Sequence, residues 1–143
     1  MTQMPGSLSS GKYFAPNYSW LCDAAAAKPI TVEISHAAVD ATLPATYPTG
    51  LLRSGLVMGK ITVGGKYKQY DDAAVDGSQV AVGVLLHPVN PTLDHTGNAI
   101  ASGTVVLGAI IVTGLVDSTL LIGDDANGRA DLALQGMLYK DAF

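Results

Sequence analysis

Three groups of side chains in this chain have the makings of a chemical site. His87, Asp94 and His95 combine imidazole with carboxylate, the ligand types that suit zinc or iron. Their spacing matches no helix or hairpin that would converge three side chains, and Pro88 and Pro91 fit a surface loop, so no metal is expected there. Asp71 and Asp72 could form the paired carboxylates of acid and base catalysis. Neighbours on an extended chain point to opposite faces, however, and a solvated turn is the better reading. The run Asp125-Ala126-Asn127-Gly128 looks like a calcium loop. Its first position would fall on Gly123 and its twelfth on Leu134, where a bidentate Glu is required, so a helix cap explains the acids better.

Nucleophiles fare no better. No serine lies in a GxSxG elbow, and no glycine pair belongs to a GxxxxGK[ST] phosphate loop. Cys22 is the only cysteine, which rules out an intrachain disulfide, and no His or Arg adjoins it to lower its pKa. The chain is therefore expected not to be an enzyme and to carry no cofactor.

The elements that could position such residues read as strands. Residues 55–88 organise the chain: Leu56, Met58, Ile61 and Val63 lead into Gly64-Gly65, and the return passes through Tyr67 and Tyr70. Two β-branched or aromatic segments around a Gly-Gly pair predict a hairpin, because glycine reaches the positive φ of tight primed turns without a steric cost. Asp76-Gly77 predicts a second reversal, and the apolar run 80–86 a further strand. Ile30 to Ile34 alternates as a half-buried strand would, and residues 104–113 read as a strand buried on both faces. Ala24 to Ala27 could form one helical turn ended by Pro29. Asp124 and Asp125 predict the cap of a short C-terminal helix, with Leu134, Met137 and Leu138 on one i, i+3, i+4 face.

Composition restricts the role. The 143 residues are 48% hydrophobic and 14% charged, against about 25% charged in an ordinary soluble domain. So little charge predicts that copies of the chain, or a partner, cover part of its apolar surface. A net charge of −4 with scattered basic residues argues against nucleic acid. No run approaches the roughly 20 apolar residues of a membrane span, and the N-terminus lacks the pattern of a secretory signal. The expectation is a soluble protein made in the cytoplasm and not exported.

Residues 1–28 read as an N-terminal arm and residues 29–143 as one β-rich domain. The arm mixes Gly, Pro and Ser with Tyr13, Phe14, Tyr18 and Trp20, and four aromatics in so short a span exceed what a linker needs. Trp and Tyr are common interface anchors, which suggests a segment that orders on a partner. An arm that folds back over its own domain or a neighbouring copy is the alternative.

The order of these features has a counterpart. Residues 59–71, with their apolar strand, glycine and basic strand ending in Tyr70-Asp71, then Asp76-Gly77 and Ala81 to Leu85, resemble the tailed-phage head decoration proteins, the family of the lambda head protein D. An Asp-initiated short helix with a late Gly136 echoes it over residues 125–139. The likeness covers roughly the last hundred residues, and the first forty or so form a longer arm than the family implies.

The resemblance implies a mainly β fold, a β-clip-like bent ribbon or small barrel with a short C-terminal helix and an extended N-terminal arm. It also implies a homotrimer on the outer face of the expanded icosahedral capsid at local threefold positions, cementing the shell against the pressure of packaged DNA. The partners would then be the chain itself and the major capsid protein, and the location the virion. Within that picture Lys12, Tyr13, Phe14, Tyr18 and Trp20 form the capsid-binding arm. Deleting residues 1–20 is expected to leave the trimer intact and abolish binding. Val80, Val82, Val84, Leu85, Leu86, Leu134 and Leu138 are the expected trimer seam. The rival readings are a trimeric β-clip enzyme of the dUTPase type, whose carboxylate and phosphate-binding glycines cannot be placed in this chain, and another exposed virion or adhesion module.

Overall fold

The computed structural model describes residues 17–140. Six strands and one α-helix follow in order, with a 3-10 turn at Ser118–Leu120: β1 (Leu21–Ile34), β2 (Val57–Lys60), β3 (Tyr67–Gln69), β4 (Ala81–Leu85), β5 (Val106–Val116), α1 (Ala126–Leu134) and β6 (Leu138–Tyr139). The fold is mainly β, as the sequence predicts.

The strands run β1-β3-β2-β4-β5-β6, and β1 also pairs with β5. That extra pairing closes five strands into a ring, with β6 added in parallel at Leu115↔Leu138 and Val116↔Tyr139. Closure leaves β1 with two partners. It meets β3 in parallel at Ile34↔Tyr67 and runs antiparallel to β5 through nine pairs, from Leu21↔Val116 to Ile34↔Val106.

The centre of the ring is buried on both faces. Val57, Val84 and Ile111 are cross-strand neighbours in one row and belong to a cluster with Trp20, Tyr70, Leu132, Met137 and Tyr139. One residue along each strand, Met58, Leu85 and Ile110 join a second cluster with Val32, Ile34, Leu52 and Leu56. Because successive side chains alternate between faces, the same three strands serve both cores. That explains the apolar character of residues 81–85 and 109–112; the strand read as buried on both faces over 104–113 is so only in that inner part, since Val105 and Leu107 are 61% and 59% exposed.

The predicted hairpin is present. β2 and β3 pair from Met58↔Gln69 to Lys60↔Tyr67, and the chain turns through Gly64 and Gly65 at φ +90° and +72°. Asp125 caps α1, its Oδ1 accepting from the Gly128 N–H at 2.7 Å. Two local expectations change. Ala24 to Ala27 form no helical turn, because β1 begins at Leu21 and carries them along β5; register shifts between Asp23 and Lys28 absorb the extra residues. Residues 21–28, assigned to the arm from sequence, thus lie in the sheet. Leu134, Met137 and Leu138 do not share a helix face either. The Met137 N–H bonds to Leu132 O and the Gly136 N–H to Ala133 O, a Schellman closure in which Gly136 takes φ +105°. The helix therefore stops at Leu134; Leu132 and Met137 enter the core and Leu134 is exposed.

Candidate functional site

The arm assigned from sequence straddles the limit of the described residues. Lys12, Tyr13 and Phe14 lie outside them, and Tyr18 and Trp20 lie within. Trp20 is 1% exposed, and its indole N–H donates to Ser54 Oγ at 2.9 Å. Ser54 Oγ in turn donates to Leu86 O at 2.6 Å, and the Asp117 N–H donates to Trp20 O. An aromatic so enclosed and so bonded is a fixture of its own core, and it leaves the set of side chains available to a partner. Gly55 makes room for it: at φ +92°, an added Cβ would stand 2.9 Å from the Trp20 ring. Tyr18 is partly exposed, lies edge-on to His87 and places its hydroxyl 3.0 Å from His87 Nδ1.

Beside this root the Arg53 guanidinium forks onto Asp40, at 2.6 Å from Nε and 3.1 Å from Nη2, and Nη2 also reaches Thr42 Oγ1. The Asp40 side chain is fully enclosed and the Arg53 side chain is 17% exposed. The hydrogen bond to Asp40 raises the Arg53 pKa against the opposing effect of burial. Tyr47 presents its ring 5.7 Å from the guanidinium carbon.

The residues assigned to a subunit seam separate into two groups. Val84 and Leu85 are fully buried within their own chain and cannot present side chains to another copy. Leu86 packs against the Trp20 cluster and Val82 is partly buried. Val80, Leu134 and Leu138 are 46%, 89% and 53% exposed, more than core packing would leave. Gln135 holds this end of α1 against the ring, its Nε2 donating to both Val82 O and Val112 O.

The possible catalytic and metal sets fall into separate local structures. Asp94 turns back on its own loop, accepting from Thr96 and the Asn98 N–H, while His87 is engaged by Tyr18. Asp71 caps its own turn through the Ala73 N–H. Asp72 accepts from Asn127 Nδ2 across the fold at 3.0 Å, and with Asp125 it shares the hydroxyl of the buried Tyr70, at 3.2 and 2.8 Å. Burial is the first cause raising the Tyr70 pKa, followed by the hydrogen bond to Asp125. Sequence reasoning missed this junction, as it missed Ser54 and Gln135, because partners 55 or 34 residues apart carry no local signal. Among the described residues, no helix is long and apolar enough to cross a membrane.

No curated protein matches the chain. A family model does, that of the bacteriophage lambda head decoration protein D, over residues 33–136. The matched stretch runs from the end of β1 to the glycine that terminates α1, more than half of the chain and all of the ring's β2 to β5. The chain belongs to the bacteriophage lambda head decoration protein D family.

Proposed function

We propose that this protein is a structural virion component, a homotrimer that binds the outer surface of the expanded phage capsid at local threefold positions and cements it against internal DNA pressure. The observation that carries the reading is the family match across residues 33–136. The low charge content and the exposed Val80, Leu134 and Leu138 support self-association.

The arm supplies the grip on the capsid protein. Lys12, Tyr13, Phe14 and Tyr18 accompany an extended segment that adds a strand to an exposed sheet edge, where main-chain hydrogen bonds give affinity and side chains give specificity. Ordering one arm is costly, so a single arm binds modestly. Three arms on one trimer make later contacts intramolecular and raise the affinity by about 10² to 10⁴.

Co-sedimentation of the purified protein with expanded, undecorated shells of the phage that encodes it tests the role. One trimer bound per local threefold position is expected, and no binding to shells shown to be expanded and vacant overturns the role. Arm deletion should stop at residue 16, since a cut after residue 20 would also remove the core indole of Trp20. The truncated protein should stay trimeric and lose the shell; full occupancy without the arm refutes the arm's part.

A further inference from the structure

Of the four asparagines, only Asn127 precedes a glycine. Asn-Gly is the asparagine dipeptide most prone to close into a succinimide, because glycine has no Cβ to hinder attack by its own amide nitrogen and leaves the chain free to reach the required geometry. The fold puts this pair in the first turn of α1, with Asn127 exposed and Gly128 buried. Glycine is needed there, since an added Cβ would stand 2.9 Å from Cε2 of the buried Tyr70 ring.

Both reacting groups are tied down. The Gly128 N–H donates to Asp125 Oδ1 at 2.7 Å, and Asn127 Nδ2 donates to Asp72 Oδ2 at 3.0 Å. Asp125 Oδ1 and Asp72 Oδ1 also share the Tyr70 hydroxyl, at 2.8 and 3.2 Å, so one phenol braces both ties. Helical backbone turns the Gly128 nitrogen back along the axis toward its cap and away from the Asn127 side chain. Only an open first turn lets that nitrogen reach Asn127 Cγ.

We propose that Asn127 is a site of spontaneous deamidation whose rate is set by how often the Asp125 cap opens, and that the reaction unclips α1 from the loop at Asp71 and Asp72. In the open turn the Gly128 nitrogen bonds to Asn127 Cγ, its proton leaves with the side-chain amide as ammonia, and a succinimide closes. Water then splits one of the two imide C–N bonds, giving aspartate, or isoaspartate with the main chain rerouted through Cγ. The balance is one water in and one ammonia out, with no change of oxidation state. Either product replaces the donor that faces Asp72 with a carboxylate beside Asp72 and Asp125, and isoaspartate also lengthens the first turn by one carbon. This chemistry does not depend on the capsid role.

Peptide mass spectrometry of the full chain, incubated at mildly alkaline pH, follows conversion at Asn127. The folded protein is expected to react about tenfold or more slowly than the same chain in urea. Asp125→Ala, kept below its unfolding transition, should react about two- to thirtyfold faster than the parent, the range that loss of a helix cap implies. Asp125→Ser keeps a capping oxygen and should stay within about threefold of the parent. Hydrogen exchange at the Gly128 amide gives the same test without a variant: the fraction of time it is open should match the ratio of folded to unfolded deamidation rates. Equal rates in the folded and unfolded chains, or deamidation faster than Gly128 opening allows, overturn the gate. Asn127→Asp, which stands for the product, should unfold at lower urea, and an unchanged midpoint overturns the unclipping.

Discussion

Trp20 and Ser54, far apart in sequence, are joined by a 2.9 Å hydrogen bond in which the buried indole donates to a hydroxyl that itself donates to Leu86 O. Ser54→Ala removes both bonds and leaves a buried donor and acceptor without partners. The expected loss is about 1–3 kcal/mol in urea or thermal unfolding. Trp20→Phe should lose a similar amount, and the double variant should lose less than the sum, since both changes break one chain of bonds. Additive losses would show the bond to be energetically idle.

Glycines 64 and 77 both take positive φ, yet their surroundings differ. A Cβ at Gly77 would stand 2.6 Å from Lys60 O and 2.7 Å from Thr62 N, whereas Gly64 faces open space. Gly64→Ala should cost about 1 kcal/mol from backbone strain alone, and Gly77→Ala clearly more because main-chain atoms must move. Comparison of their denaturation midpoints checks the order.

Asp40 and Arg53 form a pair that suffers when halved. Asp40→Ala leaves a largely buried guanidinium without its carboxylate and Arg53→Met leaves an enclosed carboxylate with only Thr42 as donor, each at about 3–5 kcal/mol. Replacing both together with apolar residues should restore much of the loss, as equilibrium unfolding of the double variant will show.

Alkaline pH should reach the fold through Tyr70. Its phenol ionises at higher pH in the fold than in the unfolded chain, chiefly because it is buried and next because it bonds to Asp125. The unfolded chain then gives up this proton first, so the stabilisation is complete below about pH 10 and drains away as pH rises above it. Tyr70→Phe should flatten that part of the stability profile. At the acid end the sign reverses for Asp76, held below the usual carboxylate range by Lys68 and by the Ser78 hydroxyl and N–H. Its contribution is present above about pH 4 and lost on acidification.

The proposed seam residues separate association from folding. Leu134→Asp and Leu138→Asp should shift the protein toward monomer in light scattering with little change in monomer stability, since both side chains are exposed. Leu85→Ala should do the opposite, costing about 2–5 kcal/mol of stability through its buried site. A Leu134→Asp, Leu138→Asp double variant that remains a trimer would place the seam elsewhere.

What the sequence reveals and what it hides follow from the range of each signal. The Gly64-Gly65 hairpin, the Asp125 cap and strands β4 and β5 depend on neighbours a few residues away, and all are legible. The alanine run at 24–27 is not, since small residues show no period and their strand exists because β5 supplies a partner. Trp20 misleads for a related reason. An aromatic near Pro and Ser looks like an anchor for another protein until Ser54 and Gly55, brought in from far along the chain, enclose it. Composition registers an apolar excess but cannot say which valines and leucines the fold covers for itself.

The closed ring also has a mechanical meaning. Tension that pulls the Leu21 end of β1 away from the Val106 end of β5 loads the nine pairs between these antiparallel strands together in shear. A hairpin pulled open at one end breaks its bonds one after another, whereas strands pulled past each other must break many at once. A domain loaded in that direction would therefore resist rupture well beyond what its equilibrium stability implies.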